Sequence, residues 1–165
     1  MPECGENIMK FFLNKFRDFI NLTKIYIRYY YWRLLFKRIG KNVRFYGKII
    51  VFGPINITIG DNCSLNSCVF LDATFSSISI GNNVRISPHS MILTSGINYK
   101  ENPPKSHFGR EIIIEDDVWI GSGAIILPGV KICKNSVIGA AAVIVNNVPP
   151  NSLVVGAPGK IKKYI

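Results

Sequence analysis

The stretch Ile114–Val148, IEDDVWIGSGAIILPGVKICKNSVIGAAAVIVNNV, decides the fold. Isoleucine recurs in it at Ile114, Ile120, Ile126, Ile132, Ile138 and Ile144, a constant step of six. A smaller side chain follows four places after each, at Val118, Ala124, Val130, Ser136, Ala142 and Val148. Neither the helix period nor strand alternation yields this step. It marks a solenoid in which every sixth side chain points into one continuous core. Toward the N-terminus the step persists in three shorter runs: Ile39, Phe45, Val51, Ile57; then Ile59, Leu65, Leu71; then Ile80, Ile86, Ile92. Gly or Asx follows many of these aliphatics, as in Ile59-Gly60-Asp61-Asn62 and Ile80-Gly81-Asn82-Asn83, and both tolerate the positive φ of tight corners. Such hexads, three to a coil, predict an all-β solenoid of about five coils over residues 39–165.

Between Ile92 and Ile114 the step fails. The segment Thr94–Arg110, TSGINYKENPPKSHFGR, is polar and carries Pro103-Pro104, so it cannot pack inside a solenoid. It is predicted to leave the prism as an extruded loop over 94–110, the kind of insertion that commonly builds a binding face. Beyond Val148, Pro149-Pro150 remove ladder donors and are predicted to end the coil. The closing VVGAP and its lysines either seal the last coil or offer charge to a phosphate.

Residues 1–48 hold eleven Lys/Arg against three Asp/Glu, which leaves about +2 of the +10 net charge for the rest. No Pro or Gly lies between Ile8 and Ile39. Lys10, Asn14, Arg17, Asn21, Lys24 and Arg28 step by four and three, a polar stripe on one long helix or two in series. Phe12, Phe16, Phe19, Ile20, Ile27 and Tyr30 lie off the stripe, and Gly40 is the expected stop. Residues 1–38 thus form a helical segment with two candidate roles. It caps the solenoid's open end or makes an oligomer contact; or residues 8–38 make a peripheral membrane contact, since YIRYYYWRLLFKR mixes aromatic and basic side chains as a headgroup boundary requires.

No uncharged run approaches the ~20 residues of a spanning helix. Lys10, Lys15, Arg17 and Lys24 break the early apolar stretch, so no secretory signal is expected. The predicted location is cytoplasmic, at the inner face of the membrane if the helix binds lipid. Nucleic acid is not an expected partner, because the charge sits on one helix without a reading motif. Cys4, Cys63, Cys68 and Cys133 form no CxxC pair and have no His at ligand spacing, so they read as reduced packing residues with no metal.

Val118–Val130 (VWIGSGAIILPGV), Val137–Ala140 (VIGA) and Val154–Pro158 (VVGAP) together resemble the hexapeptide-repeat acyltransferase family, in particular its sugar and polysaccharide O-acetyltransferase branch. The resemblance covers residues 39–163 and is most specific over 112–160. It implies a left-handed parallel β-helix. Right-handed parallel crossovers are the general preference, so handedness rests on the resemblance alone. It further implies a homotrimer, with acetyl-CoA as acyl donor in a cleft between neighbouring prisms and a sugar hydroxyl as acceptor.

Such a transfer needs a base for the hydroxyl proton, donors for the oxyanion and a groove for the CoA arm. By resemblance, Ser122, Gly123, Ala140 and Ala141 let the pantetheine lie against backbone amides, while Lys160 and Lys163 face CoA phosphates. Many relatives carry Thr-Lys where this chain has Val145-Asn146, and Cys133 replaces a usual Gly. The family's catalytic His usually follows a T-G or S-G pair, but here that place reads Ser95-Gly96-Ile97-Asn98. The base is therefore assigned to His107, at the far end of the loop, with His89 as the alternative. Asn66 and Asp72 resemble residues that hold acceptor hydroxyls, and both are also ordinary turn residues. Tyr99 and Trp119 could stack on a sugar, or Trp119 could pack at a subunit interface. The competing functions are an amino-sugar N-acetyltransferase and a non-catalytic trimeric scaffold.

Overall fold

In a computed structural model that describes residues 3–102 and 106–165, with side chains from residue 13 onward, the six-residue step becomes three stacks of buried side chains. Ile39, Ile59, Ile80, Ile114 and Ile132 lie in register on one face. Phe45, Leu65, Ile86, Ile120, Ile138 and Val154 stack on the second. Val51, Leu71, Ile92, Ile126 and Ile144 stack on the third. The strands are two to four residues long and pair in parallel along each face, so the chain winds as a parallel β-helix of five coils. The inward positions are nearly all buried, and they merge into one core because side chains from three faces meet along a single axis. Pro103-Pro104 and the side chains of Cys4, Lys10 and Phe12 lie outside the described residues.

The slips in the repeat all fall on one edge of the prism. Ile57 does not continue the first register. It shares the strand Ile57–Ile59, and the partner of Ile39 is Ile59. The extra residues form a 3₁₀ turn at Pro54–Asn56 in the first coil, the bend Ala73–Ser77 in the second and the long insertion after Leu93 in the third. The ladder resumes at Ile112, which pairs with Ile78. All three insertions join the third face to the first, so they stack on one another. Asn56 Nδ2 donates to the Ala73 carbonyl at 2.9 Å, and the Thr94 amide donates to the Asp72 carbonyl at 3.0 Å.

The edge between the first and second faces is the opposite case. Asn42, Asn62, Asn83, Asp117, Asn135 and Asn151 occupy one column, and all have φ between 54 and 60°. Their side chains join in pairs, Asn42 to Asn62 at 3.0 Å, Asn83 to Asp117 at 2.9 Å and Asn135 to Asn151 at 3.1 Å. The glycines before them serve a different purpose than expected. The left-handed backbone is carried by the Asx residues, whereas a Cβ on Gly60 would stand 2.6 Å from the Gly81 carbonyl oxygen of the next coil. Close stacking, not positive φ, demands glycine there.

Both ends of the prism are covered. The N-terminal segment is one helix, Glu3–Leu35, which stops five residues before Gly40; Arg38–Ile39 is already the first strand. Its last turns lie over the open first coil. Phe36 is buried, its ring stacks on Trp32 at 5.1 Å, and both rings face Phe45. Tyr29 donates to the Gly40 carbonyl at 3.1 Å. At the other end Pro149-Pro150 do not end the coil. Val148 bridges to Ile132, and Ser152–Val155 adds a sixth parallel strand to the second face. Lys160–Tyr164 then folds back antiparallel on that strand, so the tail seals the stack.

Candidate active site

The insertion after Leu93 is a β-hairpin. Ser95–Ile97 pairs antiparallel with His107–Gly109, placing Ser95 opposite Gly109 and Ile97 opposite His107. Directly opposed residues project on the same side of a hairpin, so Ser95, Ile97 and His107 share one face, and Gly109 leaves a gap in it. Phe75, from the stacked bend below, fills that gap. A Cβ on Gly109 would collide with the Phe75 carbonyl oxygen, and the Phe75 ring lies against the His107 imidazole at 5.6 Å, 11° from parallel. On the opposite face Phe108 covers Gly96, and the Arg110 guanidinium sits 5.3 Å over the Phe108 ring.

The hairpin's base is pinned by Asp72. Ser95 Oγ donates to Asp72 Oδ2 at 2.7 Å, the Thr74 amide donates to Oδ1 at 3.0 Å, and Thr94 Oγ1 donates to the Asp72 carbonyl at 2.8 Å. Partial burial opposes charge on this carboxylate. The hydrogen bonds from Thr74 and Ser95 outweigh that effect and hold it below the ordinary carboxylate range. At the outer end Glu101 accepts from Asn98 Nδ2 at 2.6 Å and from the Ser106 amide at 3.0 Å. Hydrogen bonds from Ser106 lower its pKa in turn. The described residues of the loop thus form an organised arm, and His107 is exposed on it.

The edge between the second and third faces collects the expected donor residues. Its corners are stacked: the His89 amide donates to the Ser67 carbonyl, Gly123 to Pro88 and Ala141 to Ser122. Cys68, His89, Gly123 and Ala141 all have positive φ, between 56 and 68°. Ser122, Ala140 and Ala141 are exposed, and a Cβ on Gly123 would meet nothing within 4 Å. Small residues therefore leave an open shelf along two coils, with the exposed His89 one coil below it in the same column. Lys160 and Lys163 are exposed on the terminal strand.

Over the second face runs a groove of about 640 Å³. Arg44, Tyr46, Asn66, Arg85, Ser87 and Trp119 are among its lining residues. Asn66 spends its amide nitrogen on the Ile86 carbonyl at 3.0 Å, leaving Oδ1 for a ligand. Trp119 is 54% exposed and donates its indole N–H to Ser87 Oγ at 3.0 Å. The sequence-derived residues therefore divide into two groups. His89, Asn66, Trp119 and the shelf lie on the second face and the edge after it; His107, Asp72 and the exposed Tyr99 belong to the third edge and its arm. The third face separates them within one protomer. Phe75 and Ser95 were missed by sequence reasoning; Ser95 was visible only as half of an S-G pair, and Phe75 carried no signal.

The cysteines divide as well. Cys63 is buried and its thiol is pushed up to about 11 by burial, as a packing residue should be. Cys68 is exposed on the shelf edge, contrary to the packing reading, because its place in the hexad is a corner. Among the described residues no group of three His, Cys, Asp or Glu could hold a metal ion.

Comparison with known proteins agrees with this architecture. Residues 111–146 match the family model described as bacterial transferase hexapeptide (six repeats). The galactoside O-acetyltransferase of Lactococcus lactis is 33% identical over 138 residues, spanning 79% of this chain and 64% of that protein. A hexapeptide-repeat containing acetyltransferase of Vibrio cholerae O1 biovar eltor, solved with acetyl coenzyme A, superposes with a TM-score of 0.78 at 32% identity, over 83% of this chain and 75% of that one. A maltose O-acetyltransferase of Clostridium difficile 630 gives a TM-score of 0.66 at 33% identity, over 81% and 72%. The chain spans about half to two thirds of the length of the curated relatives it matches. The six-residue core, the extruded arm and these likenesses converge: the chain belongs to the hexapeptide-repeat acetyltransferase family and has its left-handed parallel β-helix.

Proposed function

We propose that this protein transfers the acetyl group of acetyl-CoA to a hydroxyl of a sugar, within surface polysaccharide synthesis. The observation that carries the reading is the arm, which holds an exposed imidazole against Phe75 and is anchored by a charged Asp72. His107 takes the proton of the acceptor hydroxyl as its oxygen attacks the thioester carbonyl. Backbone amides receive the oxyanion. When the tetrahedral intermediate collapses, the C–S bond breaks and the imidazolium returns the proton to the CoA thiolate. Ser122, Gly123, Ala140 and Ala141 form the shelf for the pantetheine arm, Lys160 and Lys163 face its phosphates, and Asn66, Trp119 and Tyr99 contact the sugar. The names of the relatives support this substrate class: one acts on galactosides and one on maltose.

The separation of arm and shelf supports a homotrimer, in which one protomer's arm reaches its neighbour's shelf. His107→Ala mixed with a second inactive variant blocked at the shelf, Gly123→Trp, then regains activity, since about a quarter of randomly assembled interfaces pair two intact halves. Acetyl-CoA turnover with a panel of sugar and amino-sugar acceptors reads the result. No rescue, together with loss in His89→Ala and not in His107→Ala, would place the reaction on His89 within one protomer. Turnover only with amino sugars would make the product an amide, and no CoA binding at all would leave a scaffold.

A further inference from the structure

The N-terminal helix has two apolar faces, and only one is used by the fold. Ile25, Tyr29, Trp32 and Phe36 recur at steps of four, three and four, so they form one stripe. Tyr29, Trp32 and Phe36 pack on the core, and Ile25 lines the space above Val43. Phe16, Phe19, Ile27, Tyr30 and Leu34 follow a second stripe. Ile27 stands two residues, roughly 200° of helix, from Ile25. These five side chains point away from the prism and are 63 to 86% exposed. Between the stripes run two basic edges. Arg17 and Lys24 lie on one; Lys15 and Arg33, about five full turns apart, lie on the other. Capping and surface contact, which the sequence presents as alternatives, are thus opposite sides of one helix.

From this arrangement we infer that the outward stripe docks on an anionic lipid surface, with the helix lying in the headgroup plane. Aromatic and aliphatic side chains flanked by cations on both sides match that boundary, since the apolar face enters the acyl region while the cations meet lipid phosphates. Charge complementarity selects lipid over a second copy of the chain, because pairing two such stripes would bring like-charged edges together. Among the described residues no helix is long and apolar enough to cross a membrane, so the contact is interfacial. The helix lies across the end of the coil stack. If the protomers assemble about an axis parallel to their stacks, all three stripes face one plane. This inference does not depend on which histidine acts or on the acceptor.

Flotation of the full-length protein tests it. Vesicles of phosphatidylcholine with about 30% phosphatidylglycerol recruit the protein, and pure phosphatidylcholine vesicles recruit at least about tenfold less. Phe19→Glu/Ile27→Glu abolishes recruitment while leaving the unfolding midpoint and acetyl transfer to a soluble sugar unchanged. Arg17→Glu/Lys24→Glu lowers recruitment about tenfold or more. The inference is overturned by absent recruitment, by recruitment that survives Phe19→Glu/Ile27→Glu, or by equal binding to both vesicle types. It is also overturned if sedimentation velocity finds that the double glutamate variant merely breaks a larger assembly, which would make a second copy the occupant.

Discussion

Two edges of the same prism are built on opposite rules. The edge from Asn42 to Asn151 repeats one corner in every coil, and its side chains bond in pairs between neighbouring coils. The edge from Gly53 to Glu111 differs in each coil, by a 3₁₀ turn, a bend and a hairpin, and its side chains bond across unlike segments. In the regular edge the same Asx corner recurs and its side chains pair between coils, so no single position stands apart from the stack. In the irregular edge the extra residues carry a histidine and two aromatic rings outside the ladder, beside the carboxylate of Asp72 at a strand end. In the proposed mechanism, stability and reactivity are allotted to different corners of one fold.

The sharpest break in this contrast is His107→Ala. Its side chain is exposed and lies outside the coil ladders, so kcat falls about 10²–10⁴-fold while the thermal midpoint stays put. Retained turnover would remove His107 from the mechanism. The reciprocal lesion is Gly60→Ala on the regular edge. The new Cβ meets the Gly81 carbonyl oxygen at 2.6 Å, and overpacking of this kind costs about 1–3 kcal/mol in denaturant unfolding. Folded Gly60→Ala keeps its kcat; a drop in turnover at unchanged stability would show the two edges to be coupled. A smaller effect is expected of Phe75→Ala, which removes the ring beside His107. A ring pair of about 0.5–1.5 kcal/mol corresponds to roughly two- to twelvefold in kcat with KM for acetyl-CoA unaltered. Phe75→Tyr restores the rate if ring stacking positions the imidazole. A purely structural role would instead lower stability in both variants.

The smallest effect concerns Asp72. Its pKa is lowered in the native protein, so its contribution is complete above the ordinary value of 3.8 and is lost as pH falls through the depressed native value. Amide exchange at Thr74, whose N–H is donated to Asp72, should gain an acid-induced rise in opening in that window. Asp72→Asn should flatten it. An identical profile in both proteins would detach the arm's anchoring from the carboxylate's charge.

Much of this is legible in the sequence. The step of six fixes which side chains point inward regardless of what the corners do, so Ile120 or Leu65 could be placed in the core from spacing alone. The polar run from Thr94 to Arg110 had to leave the prism for the same reason. Other readings failed where two local signals coincide. Ile57 and Ile59 are both buried, and only the ladder shows that Ile59 is the one above Ile39. Gly40 looked like a helix stop because glycine is also what a stacked corner needs. Pro149-Pro150 looked terminal, yet the chain completes another strand beyond them.

The period along the chain determined the solenoid, its five coils and the position of the break, because a six-residue step is a local property of every hexad. The company each corner keeps was decided by the tertiary structure alone. Asp72, at a strand end, meets Ser95, and His107 meets Phe75, because coils of unequal length place their insertions on the same edge. The two faces of the helix separate only once the first coil selects one of them to bury. Partners that lie more than twenty residues apart leave no periodic trace, and closing the coils is what brings them together.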